Sequence, residues 1–116
     1  MELEANKAIV RRYIELWNTG NAMLVDDLLG PTYVDHAHPE VIGPESVMQA
    51  LHQVRTTFPD FHITITTMVS ESDIVALRGT IRRTHEGQAV ISHVMWFVRI
   101  ADGKMAELWT GVEASG

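Results

Sequence analysis

Phe58-Pro59-Asp60-Phe61-His62-Ile63-Thr64-Ile65 is where the chain changes its periodicity. Before Pro59, apolar residues recur every three or four positions. After it, Phe61, Ile63, Ile65 and Val69 alternate with His62, Thr64, Thr66 and Met68. The first spacing belongs to a helix with one buried side and the second to a strand with one buried side. A helical first half followed by a β second half predicts an α+β architecture, with helices packed on one face of an antiparallel sheet.

Working back from that point, Gly43-Pro44-Glu45 opens a helix, with Pro44 at the first helical position where its missing N–H costs nothing. Val47, Leu51, Val54 and Phe58 form its inward stripe, and Pro59 closes it. The first helix is expected over 3–18, where Val10, Tyr13, Ile14 and Trp17 oppose Lys7, Arg11, Arg12 and Glu15. Tyr13 and Trp17 are four apart and so lie one turn above each other. Gly20 suits the left-handed residue that ends this helix, and Asn21 suits the cap of a second one. That second helix, over 22–29, is short and stops at Gly30-Pro31. Between it and the third lies Tyr33-Val34-Asp35-His36-Ala37-His38-Pro39, a strand end or loop that brings an acid and two imidazoles between packed helices.

Working forward, Ser70-Glu71-Ser72-Asp73 is a turn, after which Val75, Leu77, Gly79 and Ile81 alternate with Ala76, Arg78, Thr80 and Arg82. His85-Glu86-Gly87-Gln88 is a tight connection with Gly87 as its positive-φ residue. The run over 89–100 is apolar at both parities, which implies a strand covered on both faces, by helices on one and by a second subunit on the other. A homodimer through the sheet face is therefore expected. Asp102-Gly103 makes a hairpin turn, and a last strand follows over 105–113. The result is a four-strand antiparallel meander, curved into a cone by three N-terminal helices, with a ligand site at its mouth.

A chain of 116 residues accommodates one domain over 1–116 and one core. Nine basic against fifteen acidic residues, with no Lys/Arg cluster longer than two, disfavour nucleic acid and anionic membranes as partners. Cysteine is absent, which removes disulfides, thiolate metal sites and cysteine nucleophiles. The acidic start Met1-Glu2-Leu3-Glu4 lacks the pattern of a signal peptide, and no stretch reaches the roughly 18 apolar residues of a membrane span. A cytoplasmic location is expected.

Several segments together resemble the nuclear transport factor 2-like superfamily, in its SnoaL-like polyketide cyclase and ketosteroid isomerase branches. They are Tyr13-Ile14-Glu15-Leu16-Trp17-Asn18-Thr19-Gly20-Asn21, Leu28-Leu29-Gly30-Pro31-Thr32-Tyr33-Val34-Asp35-His36, Gly43-Pro44-Glu45, Phe58-Pro59-Asp60-Phe61, Arg83-Thr84-His85-Glu86-Gly87 and Asp102-Gly103-Lys104-Met105-Ala106-Glu107-Leu108-Trp109. The resemblance implies a cystatin-like α+β barrel. It also implies that Tyr13 stands where the isomerases keep an oxyanion donor and Asp35 where they keep a general base. Two departures accompany it: Trp96 stands near the place of the isomerases' protonated strand acid, and the family's longer insertion after the Thr-His-x-Gly piece is missing.

Each candidate residue has a plainer reading beside the functional one. Asp35 is a base in an apolar cone or a loop aspartate that caps backbone N–H groups. Tyr13 is an oxyanion donor or a core tyrosine with its hydroxyl at the rim. His36 is read as a partner that orients Asp35. His36 and His38 would share a face in an extended segment, but zinc wants a third ligand, so no metal and no cofactor is expected. His93 is a pocket acid/base or an interface imidazole, because parity from Trp96 puts it on the opposite face unless a bulge intervenes. Trp17 and Trp96 would wall the cone. His85 is a solvated turn residue, or lies at the mouth, where the resemblance puts the Thr-His-x-Gly piece. Glu107 and Trp109 would be a second carboxylate and a stacking wall if their face of the last strand lines the cone, and part of the dimer surface if not. The expected function is a cofactor-independent enzyme that removes a proton alpha to a carbonyl of a hydrophobic, cyclic small molecule, leading to isomerisation, aldol cyclisation or dehydration. The alternative is a non-catalytic ligand-binding or dimeric assembly module.

Overall fold

The computed structural model describes residues 2–40 and 42–113. Helix α1 (Glu2–Thr19) is followed by a 3-10 turn (Ala22–Leu24) that runs into the single helical turn α2 (Val25–Leu28), then strand β1 (Leu29–Asp35) and helix α3 (Gly43–Thr57). Strands β2 (His62–Glu71), β3 (Ile74–His85), β4 (Gln88–Ala101) and β5 (Lys104–Val112) complete the chain. The sheet order is β1-β5-β4-β3-β2, with β1 parallel to β5 and every other pair antiparallel. The helices cover one face of this curved sheet, in the α+β arrangement the periodicity predicts.

The fifth strand corrects the expected four-strand meander. Gly30-Pro31, read from sequence as the end of a helix, lies inside β1. Proline is tolerated there because β1 is an edge strand, where a missing N–H on the open side breaks no ladder bond. The pairing of β1 with β5 is irregular between Leu29 and Val34, and Gly30-Pro31 interrupts the apolar pattern in that part of the segment. The second helix shortens accordingly to a 3-10 turn and one α turn.

Gly20, at φ +75°, closes α1 with its N–H on the Leu16 carbonyl at 2.8 Å, and the Asn21 side chain accepts from the Met23 N–H, as the sequence suggests. Asn18 adds a bond no pattern announces: its amide donates to the Ile63 carbonyl at 2.9 Å and accepts from the Ile63 N–H at 2.7 Å. The end of α1 is thereby tied to the start of β2.

The core lies between helices and sheet. Val10 and Leu16 of α1, Val47 and Leu51 of α3, and Val75 and Val98 of the sheet are at most 2% exposed, each contributing about 1.5–3 kcal/mol by burial. Along β4, Val94, Trp96, Val98 and Ile100 point into this core, whereas Ile91, Met95 and Phe97 on the other face are more than half exposed. Within one chain β4 is thus covered on one face only. In β2 the parity slips: between Ile65 and Thr67 one extra residue, Thr66, is inserted opposite β3. Beyond this bulge Met68 turns towards the core and Val69 outwards, which reverses the faces assigned to them by uniform alternation.

Candidate active site

Helix α1 and the concave face of the sheet line a cavity of about 210 Å³. Tyr13 and Trp17 of α1, Phe61 before β2, Trp96 of β4 and Leu108 of β5 are part of its wall, and Asp35 supplies a carboxylate. Four-residue spacing sets Tyr13 and Trp17 on one face of α1, with ring centroids 6.3 Å apart in an edge-to-face arrangement, and Trp17 packs on Phe61 at 6.1 Å.

Asp35 is the last residue of β1, paired beside Leu108. The chain turns there: the His36 N–H donates to the Leu108 carbonyl at 2.8 Å and the His38 N–H to the Asp35 carbonyl at 3.0 Å. The Asp35 side chain holds that turn, with Oδ1 accepting from the Ala37 N–H at 3.0 Å. Among the described residues nothing donates to Oδ2. The plain and the functional readings of Asp35 therefore coexist, since one oxygen fixes the loop and the other remains available to a ligand in the cavity.

Tyr13 and Tyr33 are both buried, and their hydroxyl oxygens stand 3.3 Å apart. Each hydroxyl has one proton, and only one of the two protons can lie between the oxygens. Tyr33 is wholly buried and Tyr13 lines the cavity. Donation from Tyr33 to Tyr13 leaves no orphan donor in the core and frees the Tyr13 proton for an oxygen in the cavity. Burial pushes the Tyr13 hydroxyl above the ordinary phenol range and the Asp35 charge adds to this, while Tyr33 and Trp17 pull the other way. Burial, together with Tyr13 and the Asp35 charge, raises Tyr33 as well. Both phenols remain protonated at neutral pH, so Tyr13 acts as a donor and not as a base.

The other predicted site residues do not reach the cavity. The β3–β4 register is continuous from Ile74 to His85, so no bulge reverses parity at His93, which lies exposed on the outer face opposite Thr80. Glu107 and Trp109 share that outer face, because Leu108 and Thr110 are the β5 residues that line the cavity. His36 does not orient Asp35. Its ring stacks on Trp109 at 4.8 Å and its Nε2 stands 3.5 Å from Glu107. Glu107 also accepts from Arg99 Nε at 2.7 Å, and this charge-assisted bond holds its carboxyl below the usual carboxylate range. His85 is exposed at the end of β3, beside Glu86 and 6.1 Å from the Phe58 ring.

Two residues join the site that sequence reasoning did not assign to it. Tyr33 is one, and period-two alternation already places it on the same face of β1 as Asp35. His38 is the other: alternation already puts His36 on the outer face, and the turn after Asp35 breaks the pattern by bringing His38 to the cavity rim, with Nδ1 3.7 Å from Glu40. No sequence pattern announced that turn.

The model of the SnoaL-like polyketide cyclase family matches residues 7–115. The chain belongs to that family. Its structural relatives are SnoaL-like proteins of the nuclear transport factor 2-like superfamily. A candidate polyketide cyclase from Bacillus cereus superposes with a TM-score of 0.83 at 22% identity, covering 94% of this chain and 74% of that one. TsrD from Streptomyces laurentii gives 0.82 at 21% identity, covering 95% and 89%. A loop truncation variant of IdmH, from Streptomyces antibioticus, gives 0.79 at 25% identity, covering 93% and 92%. At this level of identity the likeness is one of fold. Comparison with the curated proteins finds no match. Within the SnoaL-like frame, this chain has Trp96 in the cavity wall, and among the described residues Asp35 is the one carboxylate that lines the inner cavity.

Proposed function

We propose that this SnoaL-like protein is a cofactor-independent enzyme of the polyketide cyclase type, acting on a hydrophobic, cyclic, carbonyl-bearing small molecule. One observation carries the reading: Asp35, whose Oδ2 accepts from none of the described residues, and the Tyr13 hydroxyl line the same largely apolar cavity. Asp35 Oδ2 removes a proton alpha to the carbonyl, and the electron pair passes to the carbonyl oxygen, where the Tyr13 hydroxyl donates to the developing enolate. Return of the proton to another carbon isomerises the substrate. Attack of the enolate carbon on a second carbonyl closes a ring, with the proton delivered to the new alkoxide; where a second alpha proton remains, its removal by Asp35 forms a C=C bond as the hydroxide leaves, and that proton returned to the hydroxide gives water, completing a dehydration. The residues of one site supply all three outcomes, so substrate shape selects among them.

The same reading includes a cytoplasmic setting and a second copy of the chain on the outer sheet face. Support for the pairing comes from Phe97, Met95 and Ile91, each more than half exposed there.

Deuterium incorporation from heavy water into a panel of cyclic and polyaromatic ketones, followed by proton NMR, tests the chemistry. Wild-type protein is expected to catalyse exchange, and Asp35→Asn to lose it by about 10²–10⁴-fold. Exchange that persists in Asp35→Asn removes the base from Asp35. Tight binding of these ketones without exchange above buffer marks a non-catalytic binding module.

A further inference from the structure

Beyond the rim made by Tyr13, Trp17, Asp35 and His38, the cavity opens into a second compartment of about 580 Å³ against α3. From α3, Ser46, Gln49, Gln53 and Thr57 line it together with Val47, Ala50 and Val54, so its wall adds amides and hydroxyls to apolar surface. The spacing of the four polar residues, three, four and four, puts them along one side of the helix. Amide and hydroxyl side chains donate and accept equally well, so this face suits hydroxyl and keto oxygens.

Charge narrows the ligand further. Among the described residues neither compartment is lined by Lys or Arg, whereas Asp35 is on the shared rim and Glu40 in the outer wall. A carboxylate or phosphate entering here meets two acids and no fixed cation, an arrangement that works against anions. Asp35 and Tyr13, on the rim, belong to both compartments. A ligand that fills both therefore sets its apolar ring in the inner chamber, its reacting carbonyl at the rim and its remaining oxygens against α3.

Resting on the functional reading above, we infer that the α3 face is a subsite for the uncharged, oxygenated part of the substrate, so that the protein selects neutral hydroxylated ring ketones over carboxylated or phosphorylated ones. Binding of 1-tetralone, its 6- and 7-hydroxy derivatives and its 6-carboxylate, followed by quenching of tryptophan fluorescence, tests this without reference to turnover. At least one hydroxylated ketone is expected to bind about tenfold more tightly than the parent, and the carboxylate more weakly. In the double variant Gln49→Leu/Gln53→Leu the hydroxyl-to-parent ratio is expected to fall to about one; leucine keeps the helix propensity, and circular dichroism checks the fold. No hydroxyl preference in the wild type, an unchanged ratio in the variant, preferred binding of the carboxylate, or no binding of any tetralone overturns the subsite. Failure of the chemistry is separable: hydroxyl preference without deuterium exchange keeps the subsite and removes the enzyme, and exchange without preference does the reverse.

Discussion

Tyr13 and Tyr33 are the only tyrosines in the chain, and both are buried with hydroxyls raised above the ordinary phenol range. Unfolded tyrosine ionises near pH 10, at about its model-peptide value. Above that pH the unfolded chain loses protons that the folded one keeps, so the stabilising contribution is fully present below about pH 10 and declines as pH rises beyond it. Phenolate absorbance is therefore expected to be absent at about pH 10 while circular dichroism remains native, and to emerge together with alkaline unfolding. Phenolate at that pH in a folded protein would overturn the burial of the pair. At this scale the sequence was half legible. Tyr13, Trp17, Asp35 and Trp96 meet in the cavity because helical spacing and strand parity act locally. His36, His85, His93, Glu107 and Trp109 do not, because parity groups residues into faces without saying which face the helices cover.

At the scale of elements, the bulge at Thr66 is answered across the sheet by Gly79, whose partner in register is Ile65. A Cβ on Gly79 would run into the backbone carbonyl of Thr64, and a backbone carbonyl cannot rotate away as a side chain does. Gly79→Ala is expected to cost about 1–3 kcal/mol in urea unfolding, through forced displacement of β2. A cost below a few tenths of a kcal/mol would mean that β2 shifts freely. The glycine was visible in the sequence as one inward position of β3, but its reason was not, since it depends on how closely the neighbouring strand approaches. The strand character of β1 was hidden in the same way: its partner β5 lies some seventy residues further along, from the pairing of Leu29 with Met105.

At the scale of the whole molecule, Phe97 stands opposite Trp109 on the outer sheet face, with the Arg99–Glu107 ion pair beside them. Apolar residues around a charge pair of both signs make a surface able to meet its own copy across a two-fold axis. Sedimentation equilibrium is expected to give a dimer for the wild type and a monomer for Phe97→Glu, with the fold unchanged because Phe97 lies outside the core; a monomeric wild type ends the pairing model. By itself the sequence determined the α+β class, the helices α1 and α3, the four strands β2 to β5, the turns at Gly20, Gly87 and Gly103, and the helix face that carries Tyr13 and Trp17. All of these depend on local periodicity and on backbone preferences of single residues. Tertiary structure alone decided the parallel pairing of β1, the bulge that turns Met68 inward, the side of the sheet on which His93 and Glu107 lie, and the turn that brings His38 to the cavity rim. Those outcomes depend on which distant segments pack together, and the free energy that selects them comes from surfaces buried between residues far apart in the chain.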